Sequence, residues 1–170
     1  VTLPDEAPEV FELFFTWLDT GRVKVPDGVE LQDAYLRLLK LYVFGDKYII
    51  PRLKNDTMET FFSSVFEAWR RDFPNAECID YLFENTPEGS PMRRLLTHMA
   101  LDWGFTTKGL VDAILERFPE EAASWVKIFG NSAARKKQAA QWYAQWHNNM
   151  VDHMCAYHDH AEPTSRQALG

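Results

Sequence analysis

Four side chains near the end of the sequence, in the run His153-x-Cys155-x-x-His158-x-His160, are of the types from which zinc sites are built. Imidazole nitrogen and thiolate sulfur are the usual zinc ligands, and a closed structural site holds four of them tetrahedrally. On a helix, positions 153 and 155 point to different faces. A site there therefore needs the helix to have ended, or ligands from another segment, because Asn149 and Met150 do not serve. A second Cys-x-x-Cys or His pair is absent. The expectation is a polar helix end with His158 and His160 in solvent and no resident cofactor. These four residues remain the candidate ligands of the alternative reading, a zinc-binding or metal-dependent enzyme.

Other routes to catalysis find little in this sequence. The eight glycines are scattered and make no phosphate loop, and neither His-Glu-x-x-His nor a nucleophile elbow occurs. Glu120 and Glu121 sit at a helix start, where the dipole accounts for them. His98 falls in an apolar helix with no nameable group to orient it as a base. Catalysis needs convergent groups, and the expectation is a protein that is not an enzyme.

Composition narrows the partners and the compartment. Asp and Glu number 25 against 18 Lys and Arg, for a net charge of -7, which disfavours the phosphate backbone of nucleic acid. The one basic run, Arg135-Lys136-Lys137, reads as a solvated helix start. Apolar stretches fall far short of the roughly 20 residues that cross a bilayer, and no basic leader precedes one, so neither a membrane span nor a secretory signal is expected. The two cysteines, Cys78 and Cys155, make no disulfide framework, which fits a cytoplasmic or nuclear location.

The elements that must position these groups are mostly helical. Val1 to Leu3 reads as a strand, and a chain that opens inside an element is expected to be a fragment. Pro8 starts a helix whose core stripe is Val10, Phe11, Phe14, Trp17 and Leu18; Leu13 and Phe15 fall outside it, and Glu9, Glu12, Thr16 and Asp19 take the other face. Gly21 caps that helix in the left-handed conformation, and Arg22 to Val25 alternates like a short strand. Leu31 to Phe44 is apolar almost all round, carried on to Tyr48, and should be central. Pro51 starts a further helix with Leu53, Met58, Phe61, Phe62 and Val65 inward. Beyond Pro74, a short stripe of Cys78, Ile79, Leu82 and Phe83 ends before Thr86. Ser90 and Pro91 then begin a helix with Met92, Leu95, Leu96, Met99 and Trp103 inward and Arg93, Arg94 and Asp102 outside. Later helices are expected around Leu110–Phe118, Trp125–Phe129 and Trp142–Met154, with a tail that frays after Ala161.

The blocks LPDEAPEVFELFFTWLDTG and LYVFGDKYIIPRLKND, in that order, resemble the C-terminal half of a BTB/POZ domain of the kind common in fungal proteins. The run YLFENTPEGSPMRRLL, Tyr81 to Leu96, is similar to the segment that follows the domain in those proteins, and CAYHDH at Cys155 to His160 is similar to their ending. The resemblance implies a mainly α chain: the helical remainder of an α/β BTB/POZ fold with one or two short strands, followed by a C-terminal helical bundle. It divides the chain into residues 1–66 as the half-domain, 67–160 as a helical extension and 161–170 as a flexible tail. The resemblance does not cover the first half of the domain, with the usual dimer surface and part of the scaffold surface, which would stand before Val1.

The function implied is protein–protein association. BTB domains dimerise, and many act as adaptors that hold a cullin-type ubiquitin ligase scaffold, so the partners expected are the chain itself or such a scaffold, with no nucleic acid and no membrane. The surplus aromatics of the first helix point first to burial on two sides and its acidic residues to a solvated face; the alternative is a partner surface, for which Glu9, Glu12, Phe15 and Asp19 are the candidate residues. Asp19 stands where the family commonly has an aromatic. A further alternative is that the helical extension forms a peptide-binding groove.

Overall fold

A computed structural model describes residues 6–68 and 72–103, together with 116, 154, 155, 157 and 158. It is mainly helical: α1 spans Pro8–Thr20, α2 Leu31–Lys47, α3 Pro51–Ala68, α4 Ala76–Asn85 and α5 Pro91–Trp103. The chain divides into two units, one of Val1–Asn85 with His158–Gly170 and the other of Thr86–Tyr157. The expected strand at Val1–Leu3, the helices expected around 110–118, 125–129 and 142–154, the basic run 135–137, Glu120, Glu121 and the tail lie outside the described residues, apart from Glu116, which is helical and exposed, and Met154, which is buried.

Helix α2 is the centre of the first unit, with α1, α3 and α4 all packed against it. Tyr35, Leu38, Leu39, Leu41 and Tyr42 are fully buried, and Phe44 and Gly45 are buried with them, positions that wrap more than half of the helix circumference. That is why its sequence is apolar almost all round. Helix α3 contributes Leu53, Met58, Phe61, Phe62 and Val65, all buried as the periodicity predicts, and α4 contributes Cys78, Ile79, Leu82 and Phe83. Gly45 lets α2 and α3 approach: a β-carbon added there would stand 3.0 Å from Lys54 Cγ and 3.4 Å from the Lys54 backbone nitrogen.

Helix ends are satisfied by groups that the spacing of apolar residues does not reveal. The Glu30 carboxylate caps α2 by accepting from the Gln32 N–H at 3.1 Å. Asn75 caps α4, its side-chain oxygen accepting from the Cys78 N–H at 3.1 Å. Gln32 fixes the connection before α4 from both sides of its amide, donating to the Phe73 carbonyl and accepting from the Asn75 N–H, each at 2.9 Å. Caps of this kind each contribute about 1 kcal/mol.

Two expectations for the first unit need correction. The stripe of α1 is rotated: Leu13 is buried with Val10 and Trp17, whereas Leu18 is 57% exposed; Phe15, placed outside the stripe, is 61% exposed. Positions 10, 13 and 17 follow the helical period as well as 10, 14 and 18 do, and packing on α2 chooses between them. The segment from Arg22 to Val25 forms no strand, and none occurs among the described residues. Val23 is buried and Lys24 exposed, so the alternation survives, but no second strand pairs with it to make a ladder.

In the second unit, Met92, Leu95, Leu96 and Met99 bury one side of α5. Arg93 was expected on the outer face and is instead buried. Its Nε donates to the Thr86 hydroxyl at 2.9 Å and its Nη2 to the Thr86 carbonyl, so the guanidinium is hydrogen-bonded where it lies. Arg94 stays outside, over the ring of the buried Tyr157 at 6.0 Å.

Candidate interaction surface

The largest exposed apolar side chains of the first unit lie on α1 and at the corner between α2 and α3, and a run of aromatic rings joins them. Phe15 stacks on Phe11 at 6.3 Å between centroids, Phe11 meets Phe44 edge-on at 5.7 Å, and Phe44 lies 4.6 Å from Tyr48. Phe14 closes the group, 5.0 Å from Phe44 and 6.0 Å from Trp17. The inner members are buried or half-buried and hold the outer ones in place. Phe15, Leu18 and Ile49 remain 61%, 57% and 83% exposed, and Tyr48 37%.

The backbone presents Ile49 at some cost. At the end of α2 the Ile50 N–H bonds the Gly45 carbonyl at 2.8 Å and the Ile49 N–H bonds Asp46 at 3.2 Å. That pair of bonds closes a helix around a left-handed residue, normally Gly or Asn. Ile49 occupies the position with φ 54°, a conformation that costs a β-branched residue roughly 1–2 kcal/mol. Replacing Ile49 by Asn is expected to raise stability by about 0.5–1 kcal/mol, since so exposed a side chain gives up little burial. A urea midpoint that fails to rise would show that the turn carries no such strain.

Ion pairs and one indole fix α1 against the other helices. Lys40 on α2 holds Glu9 at 3.2 Å, and Lys47 holds Glu6 at 2.7 Å. Hydrogen bonding to the backbone, then the Lys40 ammonium, keeps the Glu9 carboxyl below its ordinary value. The Trp17 indole donates to Asp56 Oδ2 on α3 at 2.7 Å, and Arg52 Nε is 3.7 Å from the same oxygen. Glu9 is therefore engaged within the fold, whereas Glu12, Phe15 and Asp19 stand exposed on one stripe of α1.

No family model matches the sequence, and no curated protein or solved structure matches it. The surface must therefore be read from its own chemistry.

The candidate metal ligands are not brought together by the described residues. His153 and His160 lie outside them, Cys155 is exposed, and the largely buried His158 places Nε2 at 3.3 Å from Glu59 Oε1 on α3, an ion pair when the imidazole is protonated. Among the described residues, no three of His, Cys, Asp and Glu converge on a common point. The Glu59 contact had no signal in the sequence, since it joins residues far apart in the chain. His98 is within α5, but its side chain falls outside the described residues.

Cys78 is buried, whereas Cys155 is exposed. Cys78 lies beneath α2 with Sγ 3.7 Å from the Gln32 carbonyl, and burial pushes its thiol up to about 12. A thiol of that kind stays protonated and inert near neutral pH. Titration of the native protein with a disulfide reagent is expected to modify Cys155 rapidly, and Cys78 only after denaturant is added. Rapid modification of both would mean that α4 opens readily.

Proposed function

We propose that this chain is a protein-interaction module that holds partners on the aromatic edge of α1 and the α2–α3 corner, an adaptor or scaffold of the BTB/POZ type without catalytic activity of its own. One observation carries the reading. Phe15 and Tyr48, both exposed, are linked through the packed rings of Phe11 and Phe44, with exposed Leu18 on the same helix as Phe15 and exposed Ile49 next to Tyr48 in a conformation that its side-chain type disfavours. Scattered exposed apolar residues need no explanation, but a connected set with strain behind it is characteristic of association sites. The resemblance to the second half of a BTB/POZ domain, quoted above on its residues, supports the same class of function and supplies two partners to try, a cullin-type scaffold and the chain itself.

No helix among the described residues is long and apolar enough to cross a membrane. We place the protein in the cytoplasm or nucleus, a reading that the two widely separated cysteines, Cys78 and Cys155, support.

The test is a titration of the purified chain against a cullin-type scaffold, together with sedimentation of the chain alone. At least one association is expected at micromolar concentration, weakened about tenfold or more by the double change Phe15→Ser and Leu18→Ser, as for truncation of central anchors. If neither complex forms, or if the double variant keeps full affinity, the edge is not a docking surface.

A further inference from the structure

The apolar part of α1 is framed by two carboxylates. Glu12 stands one turn before Phe15 and Asp19 one turn after it, all exposed. Four of the nearby cations are engaged with other carboxylates, Lys40 with Glu9, Lys47 with Glu6, Lys54 with Asp46 and Arg52 with Asp56, and Arg37 acts on Glu9. Among the described residues, Glu12 and Asp19 join no such pair. Arg22, past Gly21 at the end of the helix, marks the limit of the negative strip.

Resting on the reading of this edge as a docking surface, we propose that its occupant is a basic amphipathic helix. Such a segment sets apolar side chains against Phe15 and Leu18 and a Lys or Arg one turn to either side, opposite Glu12 and Asp19. Helix faces present anchors at i, i+3, i+4 and i+7, and α1 offers Glu12, Phe15 and Asp19 at i, i+3 and i+7, with Leu18 three residues beyond Phe15. The apolar contact provides affinity, while the two carboxylates steer basic segments in and reject acidic ones. Two other occupants fit worse. A second copy docked symmetrically through Phe15 would set Glu12 of one chain against Asp19 of the other, bringing like charges together. An anionic membrane surface would be repelled both by the strip and by the net charge of -7.

The experiment uses two synthetic helical peptides with the same leucine stripe, one with lysine and one with glutamate on its polar positions. Each is titrated into the whole chain by fluorescence anisotropy. The lysine peptide is expected to bind about tenfold or more tighter than the glutamate peptide, and E12K/D19K is expected to abolish or reverse that preference. The double variant E77K/E84K, on the exposed residues Glu77 and Glu84 of α4, changes net charge equally and is expected to leave the preference intact. If E77K/E84K weakens binding as much as E12K/D19K does, bulk charge explains the result and the proposal falls. If the two peptides bind the native chain equally but F15S/L18S removes both, the edge docks helices without charge selection; the proposal fails and the docking surface stands. If F15S/L18S leaves binding unchanged, both fail. All four residues changed on α1 are exposed, and an unaltered urea midpoint verifies that each variant is folded.

Discussion

Phe61→Ala is expected to destabilise the first unit by about 3–5 kcal/mol, the usual consequence of deleting a fully buried ring. Phe61 lies on α3 with no exposed surface, its ring edge-on to that of Tyr35 at 5.8 Å. Tyr35 is fully buried as well, and its hydroxyl reaches toward the Ser64 and Asp72 carbonyls at 3.5 and 3.4 Å. Burial raises the pKa of that hydroxyl, so it remains a protonated donor. Removing Phe61 therefore empties the seam between α2 and α3 and loosens the tyrosine that anchors the connection to α4. Since small domains have a total stability of roughly 5–15 kcal/mol, the variant should unfold at far lower urea, followed by tryptophan fluorescence. Phe15→Ala provides the contrast: the same side chain removed from an exposed site should shift stability by less than about 0.5 kcal/mol. A Phe61 variant as stable as the native protein would mean that α2 and α3 do not pack through that ring.

Gly45→Val is expected to cost about 2–3 kcal/mol, through overpacking at the α2–α3 crossing. The first added carbon already meets Lys54 Cγ at 3.0 Å, Lys54 N at 3.4 Å and Leu53 Cδ2 at 3.5 Å, and valine adds two methyl groups beyond it. Lys54 cannot yield freely. Its ammonium is 2.6 Å from Asp46 Oδ1 and lies over the Tyr42 ring at 5.4 Å, with the stem buried between the helices. Gly45→Ala separates the two opposing effects, because a helix gains about 1 kcal/mol from alanine in place of glycine. Against that gain stands one close contact with a flexible methylene. The alanine variant should stay within about 1 kcal/mol of the native protein. Equal stability for valine and alanine would show that the helices are farther apart than the crossing requires.

Much of the helical framework could be read from residue spacing. The inward faces of α3 and α4 follow directly from Leu53, Met58, Phe61, Phe62 and Val65, and from Cys78, Ile79, Leu82 and Phe83, because a short helix packed on one side has only one apolar stripe to bury. Pro8, Pro51 and Pro91 mark three helix starts, since proline lacks the N–H that the first turn leaves unpaired. Gly21 marks a stop, in the left-handed conformation that it adopts at φ 68°. Helix α1 was harder. With Val10, Phe11, Leu13, Phe14, Phe15, Trp17 and Leu18 on thirteen residues, several stripes satisfy the period equally well, and the sequence offers no preference among them.

What the sequence determined by itself was the mainly helical framework, its breaks, the acidic charge balance and the excess of apolar surface on α1, because these depend on local spacing and composition. Tertiary structure alone decided that Leu13 turns inward while Leu18 faces out, that Glu9 is tied to Lys40 while Glu12 and Asp19 are not, and that Arg93 is buried on Thr86. It also joined Phe15 to Tyr48 through Phe11 and Phe44, residues from separate helices. Helical periodicity constrains each element alone, whereas exposure and pairing depend on which neighbour arrives first at each face, a property of contacts between residues distant in the chain.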